Sequence, residues 1–170
     1  MMLSSADKGS RPMTQTLIPY LTVDDAAAAL EFYARAFGAR ETLRLKIGDK
    51  VGHAEMDIGG ARLMLSGEWP QMGMLGPKAR GGASTALSIM VADADAAYAR
   101  AIEAGATAIR PPTDEFYGDR VGMLLDPFGH RWSVHQHNAD YAPEELQSRM
   151  DDAMSAIRSG AEAEVEAHPS

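Results

Sequence analysis

Two stretches of this chain read as copies of one phrase. Tyr20-Leu21-Thr22-Val23-Asp24-Asp25 leads into Tyr33-Ala34-Arg35-Ala36 and Gly38, while Ile89-Met90-Val91-Ala92-Asp93 leads into Tyr98-Ala99-Arg100-Ala101 and Gly105. An internal repeat constrains architecture before any single residue is interpreted, because each copy is one supersecondary unit. Each copy opens on a short apolar run, passes an Asp suited to a helix N-cap, and continues as alanine-rich helix to a Gly stop. Strand-like runs follow, and the copies end alike, Ile58-Gly59-Gly60-Ala61-Arg62-Leu63-Met64 lying over Pro127-Phe128-Gly129-His130-Arg131-Trp132-Ser133. The chain is therefore expected to be a duplicated βαβββ unit of the α+β class.

Composition narrows what such a unit does. The 170 residues, 45% of them hydrophobic, suffice for one well-packed domain. Apolar runs are too short to span a bilayer, and the start lacks a signal peptide's apolar core, so a cytoplasmic location and no membrane partner are expected. With no cysteine, disulfides, thiolate metal sites and a Cys nucleophile are excluded. A net charge of −8 opposes nucleic-acid binding, which needs a basic face.

Residues 1–14 are small, polar and aperiodic and read as a disordered leader, with Met13 an alternative start. The domain spans 15–140, its repeats covering about 17–67 and 84–137. In the first helix Ala26, Leu30, Tyr33 and Phe37 form one apolar stripe; Ala94, Tyr98 and Ile102 are its counterpart. Strands are expected near 41–47, 51–58 and 61–66, and again near 107–111, 120–126 and 131–137. The Gly- and Pro-rich segment 67–83 joins the halves. A C-terminal helix runs over 141–159, offering Leu146, Met150 and Met154 as a sticky stripe, and 160–170 is an acidic tail.

The repeat, with His53-Ala54-Glu55-Met56, Phe116-Tyr117-Gly118-Asp119-Arg120 and Asp126-Pro127-Phe128-Gly129-His130-Arg131-Trp132, resembles the vicinal oxygen chelate superfamily. That is the glyoxalase, bleomycin-resistance and extradiol dioxygenase group, and the branch it most resembles is the PhnB-like one. The resemblance implies tandem βαβββ modules forming a curved mixed sheet, a cup with ligand on its concave face. It also implies a divalent metal held by His and Glu. The matching positions here are Ile18, Met64, Ala86 and Ser133, and none is a competent ligand, because such ions need three or four N or O donors converging at roughly 2 Å. No metal and no other cofactor is expected.

Polar residues remain for recognition or catalysis. His53, Glu55 and Asp57 alternate with Ala54, Met56 and Ile58, so all three project from one strand face, either the cup wall or solvent. Ser133 and His135 share a face of the last strand, His135 suited to act as a base near neutrality. Tyr117, Asp119 and Arg120 gather at a loop expected at the cup's mouth, Asp119 and Arg120 either as an ion pair or as an anion clamp. His130 is assigned to the turn, and Arg62 and Arg131, matched in the two repeats, are read as strand-surface residues or pseudo-symmetric salt-bridge partners. The candidate ligand-binding set is His53, Glu55, Asp57, Met64, Tyr117, Arg120, Ser133 and His135. A cup walled by Glu55 and Asp57 would prefer cations.

The expected function is binding a small organic molecule in a metal-free cup, as in sequestration or resistance, by a homodimer. The alternative is a lyase or isomerase of the glyoxalase type using His135 with His53 and Glu55, with or without a divalent metal.

Overall fold

The structure is a computed structural model that describes residues 15–167, with side chains described to residue 159. The expected leader and Met13 lie outside the described residues. Each module begins with a strand, β1 (Tyr20–Val23) or β5 (Ala86–Met90), followed by a helix, α1 (Ala26–Phe37) or α2 (Ala94–Ala104). Both helices start where an Asp ends the strand. The Asp25 carboxyl accepts the Ala28 N–H at 3.0 Å and Asp93 that of Ala96 at 2.9 Å, satisfying donors that a helix start leaves free. Both end at Gly38 and Gly105, which adopt the left-handed backbone with φ of 67° and 118°, a conformation glycine takes without steric cost.

Three antiparallel strands complete each module: β2 (Arg40–Ile47), β3 (Lys50–Ile58) and β4 (Ala61–Gly67), then β6 (Thr107–Asp114), β7 (Asp119–Leu125) and β8 (Arg131–His137). They form two four-stranded sheets, ordered β1-β4-β3-β2 and β5-β8-β7-β6, in which the first and last strands of each module pair in parallel. The duplicated βαβββ reading holds, with strand limits close to those expected from alternation.

One core serves both modules. The expected stripe on α1 is inside: Ala26, Leu30 and Tyr33 are buried and Phe37 packs against them. The same cluster takes Ala54, Met56, Leu63 and Leu65 from the first sheet and Leu124, Phe128 and Trp132 from the second module. Phe37 and Trp132 approach to 4.6 Å between ring centroids, and each large side chain fully buried here stabilises the fold by about 1.5–3 kcal/mol. Alternate residues are buried on β1 (Leu21, Val23), β3 (Ala54, Met56) and β4 (Leu63, Leu65), which leaves their neighbours facing away from this shared core.

Asp126 joins the modules. Its carboxyl, 3% exposed, accepts the Tyr33 hydroxyl at 2.8 Å, the Trp132 indole N–H at 2.9 Å, and the backbone N–H groups of Phe128 and His130. His130 adds a contact of 3.1 Å between its Nε2 and the Thr22 carbonyl. The turn role expected of His130 thus extends across the module boundary.

The C-terminal helix α3 spans Pro143–Ala167, eight residues past its expected end. Alanines and glutamates after Gly160 are good helix formers with no proline among them before residue 169. Among the described residues α3 packs on no other element, and Met150 and Met154 remain exposed.

Candidate ligand-binding face

Strand register decides which candidates share a face, because residues directly opposite one another project to the same side. On the first sheet Tyr20, Met64, Glu55 and Leu43 form one row across four strands. Their neighbours on β1, β3 and β4, among them Leu21, Ala54 and Leu63, point into the core. His53 and Asp57 share the outer face with Glu55 by alternation, as expected. The Tyr20 hydroxyl lies 3.1 Å from His53 Nδ1. Glu55 lies 3.5 Å from His53 Nε2 and 3.6 Å from Arg62, and Asp57 accepts the Gly60 N–H in the adjoining turn. Arg62 is the salt-bridging residue expected, and its guanidinium offsets the negative wall on which a cation preference rested.

The second sheet repeats the arrangement with different chemistry. Ser88, Ser133, Met123 and Arg110 form one row, and Met90, His135, Val121 and Thr113 the next. His135 Nε2 lies 2.9 Å from Ser133 Oγ, which lies 2.9 Å from Ser88 Oγ. On its other side His135 Nδ1 meets Asp119 Oδ2 at 3.2 Å, while Asp119 Oδ1 meets His137 Nδ1 at 2.9 Å. Burial by itself raises the Asp119 carboxyl, but hydrogen bonds from His137 and His135 with their charges outweigh it and hold the group below the ordinary carboxylate value. Hydrogen bonding to Asp119 is the main cause that raises His137, which is exposed and also faces Asp140.

Tyr117 sits at the border of this face. Burial first, then the charges of Glu115 and Asp119, push its phenol upward, and its ring meets Phe116 edge-on at 5.2 Å. Arg120 is not part of the cluster. Alternation turns it to the opposite side of β7 from Asp119, where it donates to Asp95 on α2 at 2.7 Å and to Asp114 at 3.2 Å. Those bonds raise the guanidinium above its ordinary value. The reading of Asp119 with Arg120 as a pair or clamp is therefore corrected: adjacent strand residues cannot face one ligand together. His53 and Glu55 belong to the first sheet and His135 to the second, so these three do not form one cluster within a hydrogen-bonded sheet.

Sequence reasoning missed Ser88 and Tyr20, which stand opposite Ser133 and Met64. The signal was available in the repeat, since both precede their helix caps by the same number of residues. Asp119 was noticed but tied to the wrong neighbour.

Two cavities adjoin these residues. One of about 850 Å³ lies between the modules, lined by Ile18, Phe37, Arg62, Ser88, Met90 and Trp132 among others. Among the described residues Arg62 is the only charged one lining it. Another, of about 130 Å³, is lined by Ala86, Met123 and Ser133. The larger is of a size that suits a small organic ligand.

The sequence profile of the Glyoxalase/Bleomycin resistance protein/Dioxygenase superfamily matches residues 14–134. The chain belongs to that superfamily. It is 41% identical over 138 residues to an uncharacterised protein of Mycobacterium bovis, covering 79% of this chain and 91% of the relative. A Mycobacterium tuberculosis relative has the same identity and covers 79% of this chain and 81% of its own length. Among solved structures it is similar to TioX from Micromonospora sp. ML1, with 25% identity and a TM-score of 0.57 over 73% of this chain and 99% of that one. TnmS3, an antibiotic binding protein from Streptomyces sp. CB03234, shares the fold at 22% identity and a TM-score of 0.58, over 75% of this chain and 99% of that one.

The superfamily's metal is tested by the donors present. Ile18 and Ala86 carry no donor, Met64 offers only a thioether, and the Ser133 hydroxyl is engaged by Ser88 and His135. Among the described residues no three His, Asp or Glu side chains are grouped to hold an ion. These residues do not fit a divalent ion of that kind.

Proposed function

We propose that this superfamily member, which we place on its PhnB-like branch, binds a small and largely apolar organic molecule without a resident metal. The supporting observation is the fate of the metal positions. Ile18 lines the 850 Å³ cavity, and Ala86 with Ser133 lines the smaller one, so positions that would hold an ion present recognition surface instead. Met64, Met90 and Met123 add flexible, polarisable contact suited to ligands of varied shape. Sequestration, as in drug resistance, is the role we infer, and the antibiotic binding of TnmS3 makes antibiotics a sensible part of any screen.

Assembly belongs to the same reading. The outer faces expose Tyr20, Leu43 and Leu45 on the first sheet and Met90 on the second, and several exposed apolar side chains on one sheet face fit an interaction surface. A homodimer that covers part of these faces while leaving the cavity accessible accounts for them. No helix among the described residues is long and apolar enough to cross a membrane, and a cytoplasmic site of action remains part of the proposal.

A thermal-shift screen of apolar antibiotics and other aromatic compounds tests the binding reading. A ligand at about 100 times its dissociation constant adds about 2.7 kcal/mol, which for a domain of this size raises the midpoint by roughly 5–10 °C. The shift should shrink in Met90→Lys, whose charge enters the cavity wall. Shifts from no compound, or equal shifts in Met90→Lys, would contradict the assignment.

A further inference from the structure

The second sheet carries a hydrogen-bonded line that simple ligand binding does not require: Asp119, His135, Ser133, Ser88. Its polarity follows from its partners. The Asp119 carboxyl accepts from His135 Nδ1–H at 3.2 Å, which leaves Nε2 as the acceptor of the imidazole. The Ser133 hydroxyl then donates to Nε2 at 2.9 Å, and Ser133 Oγ in turn accepts the Ser88 hydroxyl at 2.9 Å. Three of the four groups lie within the sheet surface, Ser133 being only 4% exposed. Ser88 is the exposed end, and it lines the 850 Å³ cavity beside Met90.

A nucleophile, a base within hydrogen-bond reach and a third group orienting that base make up the arrangement that activates a serine. Here one further hydroxyl stands between base and nucleophile. From this geometry we propose that Ser88 is the nucleophile of an acyl-transfer activity toward esters with apolar acyl groups, with Ser133 as proton relay, His135 as base and Asp119 as the positioning residue. The inference rests on the binding reading above, because the ester must occupy the same cavity.

The step balances without a co-reactant other than water. Ser88 Oγ forms a bond to the ester carbonyl carbon as its proton passes to Ser133 Oγ and the Ser133 proton passes to His135 Nε2. The bond to the leaving alkoxide breaks, and the alkoxide takes that proton back through Ser133. Water then attacks the acyl-Ser88 ester through the same relay run again, releasing a carboxylic acid and restoring the hydroxyl. Met90 and Met123, neighbours of Ser88 and Ser133 on this face, supply the apolar contact for the acyl group.

A fluorophosphonate probe tests this on the full chain, because phosphonylation of an activated serine is covalent and countable by intact mass. The expected result is a single adduct mapped to Ser88, absent in Ser88→Ala. Its formation should be slower by about 100-fold or more in His135→Gln, the range in which a general base contributes. Asp119→Asn, which keeps the shape but reverses the hydrogen bond, should also slow labelling, and it provides a second relay variant if His135→Gln fails to fold. No adduct on folded protein, an adduct on another residue, or rates unchanged in both relay variants overturns the proposal. The thermal-shift ligands separate the two readings. Shifts without an adduct remove the acyl-transfer inference alone, whereas folded protein that gives neither shift nor adduct removes both.

Discussion

Asp126 offers the sharpest test of how the two modules are held together. Replacing it with Ala leaves the Tyr33 hydroxyl and the Trp132 indole N–H without their acceptor, and both residues are almost fully buried. An orphaned buried donor costs about 1–3 kcal/mol. The backbone N–H groups of Phe128 and His130 lose their partner as well. Against this, removing the carboxyl relieves its own desolvation, so the sum over the orphaned donors comes to about 4 kcal/mol. Urea denaturation followed by Trp fluorescence measures it directly, Trp132 reporting from inside the network, and the thermal midpoint should fall by roughly 10 °C. Tyr33→Phe alone should cost about 1 kcal/mol, since it removes a donor and leaves Asp126 with three others. Combined with Asp126→Ala it should cost less than the sum, by about 1–2 kcal/mol, because the orphaned hydroxyl is then absent. A loss under about 1 kcal/mol for Asp126→Ala, or strict additivity in the cycle, would refute the reasoning.

Other consequences are equally direct. Gly118 has φ of 99° and an added Cβ would run into the Ala139 carbonyl and the Tyr141 ring, so Gly118→Ala should destabilise by about 3 kcal/mol in the same urea assay. The Asp119–His137 pair makes stability depend on pH from both sides. The depressed Asp119 contributes above the ordinary carboxylate value of about 3.9 and its contribution is lost as pH falls through the lower folded value; the raised His137 contributes fully below about 6.5 and is lost as pH climbs through its higher folded value. The midpoint difference between wild type and His137→Gln should therefore be widest near pH 5 and narrow at both ends, and a flat difference would exclude the pairing. Truncation from Pro143 onward should weaken the proposed dimer in light scattering, since α3 presents Met150 and Met154 without a packing partner among the described residues; wild type that is monomeric at micromolar concentration would remove the dimer itself.

Much of the fold was legible because local signals and the repeat agreed. Asp25 and Gly38 bracket α1 as cap chemistry requires, and the alternation of His53, Glu55 and Asp57 with Ala54 and Met56 sorts wall from core without further help. The site was less legible, because strand register is set by distant pairing. Nothing local places Tyr20 beside His53, 33 residues away, or shows that Arg62 lies against Glu55. The segment around Asp119 and Arg120 read as a loop gathered on one ligand, yet both residues already belong to β7, where consecutive side chains part company. Asp126 was visible as part of a motif, but its role depends on Tyr33 arriving from the other module, which no window of sequence contains.

The central claim is that the positions this fold uses for a divalent ion serve recognition here. Elemental analysis of the untagged chain, purified without added metal and titrated afterwards with nickel and zinc, tests it most directly. The account predicts far less than one ion per chain, no saturable uptake at Ile18, Met64, Ala86 and Ser133, and a thermal midpoint that chelator leaves unchanged. Stoichiometric nickel, zinc or iron, with a midpoint that falls on chelation, would contradict it.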